Sequence, residues 1–261
     1  MSDPRPAAKR PRRQTLLLAG LGVGAAVTGA VAAERLLVRR ARSGPDPVRG
    51  ENLAERPGTE GRVRSFDNTQ LAVNVVGPSD PAAPTLVFAH AFTLDMTAWH
   101  YQWKAFSDHY RCVLYDHRGH GHSDPAGAAG YSIEAIGQDL KAVLDATDNG
   151  GPVALIGHSM GGMAVVSLAE QYPEVFGERV RAVVLANTAA ADVLKGILSS
   201  LGVRASRALL PVVRGFTANA RRGYRVRAAA FRGQADLAFL AARLTNFGST
   251  APPSIIDHVV R

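Results

Sequence analysis

Val153-Ala154-Leu155-Ile156-Gly157-His158-Ser159-Met160-Gly161-Gly162 is the stretch on which the fold turns. Its first four residues are uncharged and apolar, as in a short strand buried on both faces. From Met160 the chain has helical character to Tyr172 and stops before Pro173, which cannot continue a helix. Between strand and helix stands Gly157-His158-Ser159-Met160-Gly161, a G-x-S-x-G pattern. The two glycines let the backbone turn sharply and let strand and helix approach closely. The turn holds Ser159 out at a helix N-terminus. Backbone N–H groups and the helix dipole there favour a developing negative charge.

Working outward, apolar runs alternate with helical patterns. Residues 62–67 and 70–76 alternate in polarity around Asn68-Thr69, which predicts a hairpin. Residues 85–89 and 111–115 read as further buried strands, and residues 180–186 as the last clear strand. Residues 97–107 have helical spacing, with Trp99, Trp103 and Phe106 on one side. Residues 132–147 form a second helix, with Ser132 as N-cap and Ala135, Ile136, Leu140, Val143 and Leu144 as its apolar face. Such alternation predicts an α/β fold, a mostly parallel sheet with helices on both faces. Ligands of such sheets bind at the carboxyl ends of the strands.

Two further motifs follow strands. His90-Ala91-Phe92 comes after 85–89 and can offer the Phe92 N–H beside that of Met160 to an anion. Asp116-His117-Arg118-Gly119-His120-Gly121-His122-Ser123 comes after 111–115. Its three histidines invite a metal reading, but a glycine-interrupted turn offers no ordered tetrahedral set. A tight loop shaping the pocket rim is expected instead, with no metal and no cofactor. The single cysteine, Cys112, excludes an internal disulfide and lies in a strand run, as a buried thiol would.

The net charge is +8 but unevenly placed. Residues 1–50 hold ten Lys/Arg against three Asp/Glu, whereas residues 51–187 hold nine against sixteen. The basic balance therefore does not describe the central region, and a nucleic-acid partner is not expected. Lys9, Arg10, Arg12 and Arg13 precede an uncharged run from Leu16 to Ala33. That run predicts either a single-span membrane anchor or an export signal with Ala30-Val31-Ala32 as its cleavage site. Arg12-Arg13 also resembles a twin-arginine signal. The expected location is the cell envelope, anchored or exported.

The three strand-end motifs, in this order and spacing, resemble the α/β-hydrolase superfamily. The wording His90-Ala91-Phe92-Thr93-Leu94-Asp95 with Trp99, the loop 115–123 and Gly157–Gly162 is similar to its esterase, lipase and haloperoxidase-like branch. More narrowly, it resembles anchored or exported actinobacterial hydrolases. The resemblance is specific over residues 61–187 and looser beyond. It implies Ser159 as nucleophile, Phe92 and Met160 as backbone oxyanion donors, and Gly157 and Gly161 as elbow glycines. Ala91 departs from the glycine usual at its place. Serine at position 159 argues against epoxide and haloalkane hydrolases, which attack with a carboxylate.

The same resemblance implies an acid and then a histidine after Ser159. The acids after the last strand are Asp192, Asp236 and Asp257, the single histidine after Ser159 is His258, and none stands in the expected turn. Residues 190–261 read instead as a helical cap inserted after the sixth strand. The expected organisation is a basic region and apolar segment over 1–40, a linker over 41–60, a hydrolase core over 61–189 and a cap over 190–261. The last two strands, with the triad acid and histidine, are expected beyond residue 261, and this chain is expected to be inactive or nearly so. The implied activity is a serine hydrolase acting on a small-molecule carboxylic ester or similar acyl substrate through an acyl-Ser159 intermediate. Cofactor-free haloperoxidase chemistry and a non-catalytic ligand-binding homologue are the alternatives.

Overall fold

The apolar runs pair into one sheet. In the computed structural model, residues 35–189, 239–240, 242–243, 247–248 and 250–260 are described. They fall into two units, residues 51–221 and residues 1–50 with 222–261.

The described residues of the larger unit carry six strands: β1 (Thr59–Arg64), β2 (Gln70–Val76), β3 (Thr85–Ala89), β4 (Arg111–Tyr115), β5 (Val153–His158) and β6 (Val180–Ala186). Their order across the sheet is β1-β2-β4-β3-β5-β6. β1 and β2 are antiparallel, as is the β2–β4 pair, and β4, β3, β5 and β6 run parallel. Three helices connect the parallel strands: α1 (His100–Phe106), α2 (Ile133–Ala146) and α3 (Met160–Gln171). The expected α/β-hydrolase arrangement of a mostly parallel sheet with helices is the one observed.

Each helix starts for a local reason. The Ser132 hydroxyl accepts the Ala135 N–H at 3.1 Å, the N-cap bond expected of that residue. α1 is preceded by a 3-10 turn, Met96–Trp99, capped by the Asp95 carboxylate. The apolar face of α2 packs with that of α3 against one side of the sheet, in a core that includes Leu71, Val87, Val113, Leu140, Val143, Leu155 and Leu168. Full burial of each such side chain contributes roughly 1.5–3 kcal/mol. The other side of the sheet holds Phe88, Met96, Trp99, Trp103, Cys112 and Leu114. Cys112 is buried there, and burial pushes its thiol up to about 11.

The hairpin turns earlier than its sequence pattern predicts. β1 ends at Arg64, and residues 65–69 form the turn, with Asn68 at φ 69°. At the opposite edge, β6 leaves Val183, Val184 and Leu185 exposed.

In the smaller unit, residues 35–42 are helical and a second helix, α4, spans Pro253–Val260. Phe239, Ala242 and Ile256 form its buried cluster. Asp257 pairs with Arg42 at 2.9 Å. Asp257 and His258 are adjacent on one helix, where neighbouring side chains do not face each other. Among the described residues no helix is long and apolar enough to cross a membrane. The run Leu16–Ala33, Asp192, Asp236 and most of the expected cap lie outside the described residues.

Candidate active site

Register brings the strand-end motifs together. Ala89 of β3 lies beside Tyr115 of β4 on one side and Gly157 of β5 on the other. The loops after β3, β4 and β5 therefore open on the same carboxyl edge.

Ser159 is the strained point of that edge. Its backbone has φ 51° and ψ −112°, a conformation that costs a residue with a Cβ about 1–3 kcal/mol. The surrounding structure holds it there. The Ser159 N–H donates to the Ala186 carbonyl at 3.0 Å, and the Ser159 carbonyl accepts the Met163 N–H at 3.1 Å. That carbonyl also accepts the Thr188 hydroxyl at 2.7 Å. The end of β6 thus grips the turn at both its N–H and its C=O.

The elbow glycines are required by close approach. A Cβ at Gly157 would stand 2.6 Å from the Gly162 nitrogen. One at Gly161 would stand 2.0 Å from the Ala89 carbonyl oxygen, so β3 and α3 could not pack as they do. Met160 opens α3, where the first N–H groups lack acceptors within the helix. Among the described residues, the Ser159 hydroxyl has no hydrogen-bond partner, histidine included.

The loop bearing Phe92 is tied down by His90, which is fully buried. His90 Nε2 accepts the His117 N–H at 3.0 Å, so the ring proton sits on Nδ1 and is donated to the Ala91 carbonyl at 2.8 Å. That carbonyl also accepts the Leu94 N–H, and Thr93 takes φ 69° in the turn between. Burial lowers the His90 ring to about 4, so it is neutral at pH 7. Burial, reinforced by the neighbouring His90 and His120, holds His117 well below the usual histidine range. Phe92 itself is exposed.

The loop after β4 is a scaffold rather than a ligand set. The buried Asp116 carboxylate accepts the Met96 N–H at 2.7 Å, the His122 N–H at 2.8 Å and Arg56 at 2.7 Å. Arg118 is buried and uses all five of its N–H donors. It makes two bonds to Asp139 at 2.6 and 2.7 Å, two to Asp67 at 3.1 and 3.3 Å, and one to the Gly130 carbonyl at 3.0 Å. Among the described residues no group of three or more His, Cys, Asp or Glu is arranged to hold a metal ion.

Sequence reasoning left out Arg118, Asp139, Asp67 and Thr188. One signal was present: Asp139 falls on the apolar face of α2, between Ile136 and Leu140, and a carboxylate buried there needs a cation. Nothing local marked Thr188.

The family profile described as alpha/beta hydrolase fold matches residues 84–225. Epoxide hydrolase 4 of Mus musculus is 31% identical over 185 residues, which are 67% of this chain and 51% of that protein. The 3-oxoadipate enol-lactonase 2 of Acinetobacter baylyi is 36% identical over 122 residues, 46% of this chain and 43% of that one. Among solved structures, an esterase from Exiguobacterium antarcticum is 26% identical, with a TM-score of 0.44 over 51% of this chain and 46% of that one. The chain spans about half the length of these relatives.

Proposed function

We propose that this chain, which belongs to the α/β-hydrolase fold family, is a serine hydrolase that acts on a carboxylic ester or similar acyl substrate. The observation that carries the reading is the backbone of Ser159, φ 51° at the turn between β5 and α3. A strained conformation gripped from three sides is a feature of sites where a side chain must be held out. In the proposed reaction Ser159 Oγ attacks the acyl carbon, and the carbonyl π electrons move onto oxygen. Backbone N–H groups of Met160 and Phe92 receive that oxyanion. The oxyanion then collapses and the bond to the leaving oxygen breaks; that oxygen departs as the alcohol with the proton lost from Ser159, leaving acyl-Ser159, which water cleaves to the acid and free Ser159. A hydroxyl rather than a carboxylate at the elbow supports acyl transfer over epoxide opening. A lactonase among the relatives is in keeping with this, since a lactone is an ester.

In this reading Ser159 attacks beside two backbone N–H groups, with no base hydrogen-bonded to it among the described residues. An aryl ester suits the test, because a phenolate leaves without needing a proton. Incubation with an aryl acetate followed by peptide mass mapping should find one acetyl group on the peptide carrying Ser159, and none in Ser159→Ala. Ester turnover that survives Ser159→Ala would defeat the reading. We further propose that the run Leu16–Ala33 holds the protein at a membrane, as its length and flanking charge suggest.

A further inference from the structure

The apolar run ends at Ala33, and residues 35–42, close behind it in sequence, are helical. Helical spacing sets Arg35, Arg39 and Arg42 on one stripe, at i, i+4 and i+7. Val38 between them is buried and orients the helix on its own unit. A cleft of about 450 Å³ runs along the stripe, lined by Arg35, Val38, Arg39, Arg42, Ser43 and Arg49. Four arginines and one serine thus line one opening that has no acidic residue in its lining.

Two of those arginines are spoken for. Arg42 pairs with Asp257 at 2.9 Å, and its guanidinium lies over the Phe239 ring. Arg49 lies 3.9 Å from Asp46, whose carboxylate also accepts the Ser254 hydroxyl. Arg35 and Arg39 are exposed and have no ionic partner among the described residues. Leu36, 68% exposed, flanks the stripe, whereas Leu37, 58% exposed, falls on the opposite side of the helix. An exposed leucine flanking unpaired guanidinium groups suits the boundary between headgroups and acyl chains, where Arg stems lie along lipid and their charges reach phosphate.

We propose that this face binds the anionic phosphate headgroups of a bilayer, with Arg35 and Arg39 as its principal contacts and Arg49 and Ser43 closing the cleft. It is a second membrane signal added to the apolar run, and it rests on the anchoring reading above. One apolar segment with a basic patch holds a membrane more firmly than either alone. The position of the stripe just after the apolar run sets its charges at the depth where anionic lipid is concentrated.

The test is flotation of the full chain with vesicles of phosphatidylcholine alone or mixed with phosphatidylglycerol. Each near-surface Arg strengthens partition about fivefold, so Arg35→Ala with Arg39→Ala should weaken binding to the anionic vesicles about 30-fold. Binding to neutral vesicles should be unchanged, and Arg35→Lys with Arg39→Lys should keep most of the anionic preference. Raised salt should remove the difference between the two vesicle types. The proposal is overturned if the alanine pair keeps its anionic preference, which would assign that preference to Lys9–Arg13. It is also overturned if wild type binds both vesicles equally, or if soluble glycerol phosphate saturates the chain while no vesicle preference exists. Loss of neutral binding with the anionic preference intact would sink the anchoring reading and leave this face standing.

Discussion

Replacing Ser159 by glycine should make the protein more stable than replacing it by alanine, the reverse of the ordinary order. At an unstrained position glycine costs about 0.5–1 kcal/mol relative to alanine, through the entropy of the unfolded chain. At φ 51° the balance changes, because alanine keeps the Cβ that makes the conformation costly. The backbone bonds to Ala186, Met163 and Thr188 do not involve the Ser159 side chain, so both variants keep them. What separates the two is the Cβ strain, about 1–3 kcal/mol, less the entropy of glycine. The net advantage of glycine is about 0.5–2 kcal/mol. For a domain of this size that is a rise in Tm of about 1–8 °C. Thermal unfolding of the two variants side by side, followed by circular dichroism, measures it. If Ser159→Gly melts at or below Ser159→Ala, the turn is not strained in solution and the argument for a held-out nucleophile loses its footing.

Thr188→Val keeps the packing against Gly162 but removes the bond to the Ser159 carbonyl. It should cost about 0.5–1.5 kcal/mol and slow acylation of Ser159 several-fold, and Thr188→Ser should restore both. Arg118→Met leaves the Asp67 and Asp139 carboxylates buried without their cation. A urea titration should show a loss of about 3–5 kcal/mol, and a loss under 1 kcal/mol would contradict the buried network. His90 and His117 are neutral when folded and free to protonate when unfolded. The unfolded chain therefore binds more protons as pH falls from about 6.5 towards the folded value of His90, about 4. Stability should be full above pH 6.5 and fall through that window, by about 3 kcal/mol for His90 alone. His117→Phe should flatten part of that fall, and an identical pH profile would count against burial of the ring.

Four strand boundaries, those of β2, β3, β4 and β6, agree with the sequence pattern: β3 and β4 as buried apolar runs, β2 as one arm of an alternating hairpin, and β6 as an apolar run at an exposed edge. β1 was less legible. Its alternation continues to Asp67, but the chain turns at Ser65, whose hydroxyl is held by Asp139 at 2.5 Å. Asp67 is drawn to Arg118, about fifty residues ahead, and no local pattern carries that information. The elbow was legible because its requirements are local: a strand, two glycines, a serine and a helix in one stretch. The parts that hold it still, Thr188 and the His90–His117 bond, come from separate strand ends that only the sheet register brings together. The Asp116 loop shows the opposite risk. Its histidines looked like a set in sequence, yet one ring is buried beside His90 and the carboxylate is occupied by two backbone N–H groups and Arg56.

The most direct test of the account is reaction of the full chain with a fluorophosphonate, read by intact mass and then by peptide mapping. A single phosphonyl group should appear on Ser159, slowly but selectively over the other serines, and Ser159→Ala should take none. A folded protein that is phosphonylated elsewhere, or that leaves Ser159 untouched under conditions that modify exposed serines, would contradict the claim that this turn presents a nucleophile.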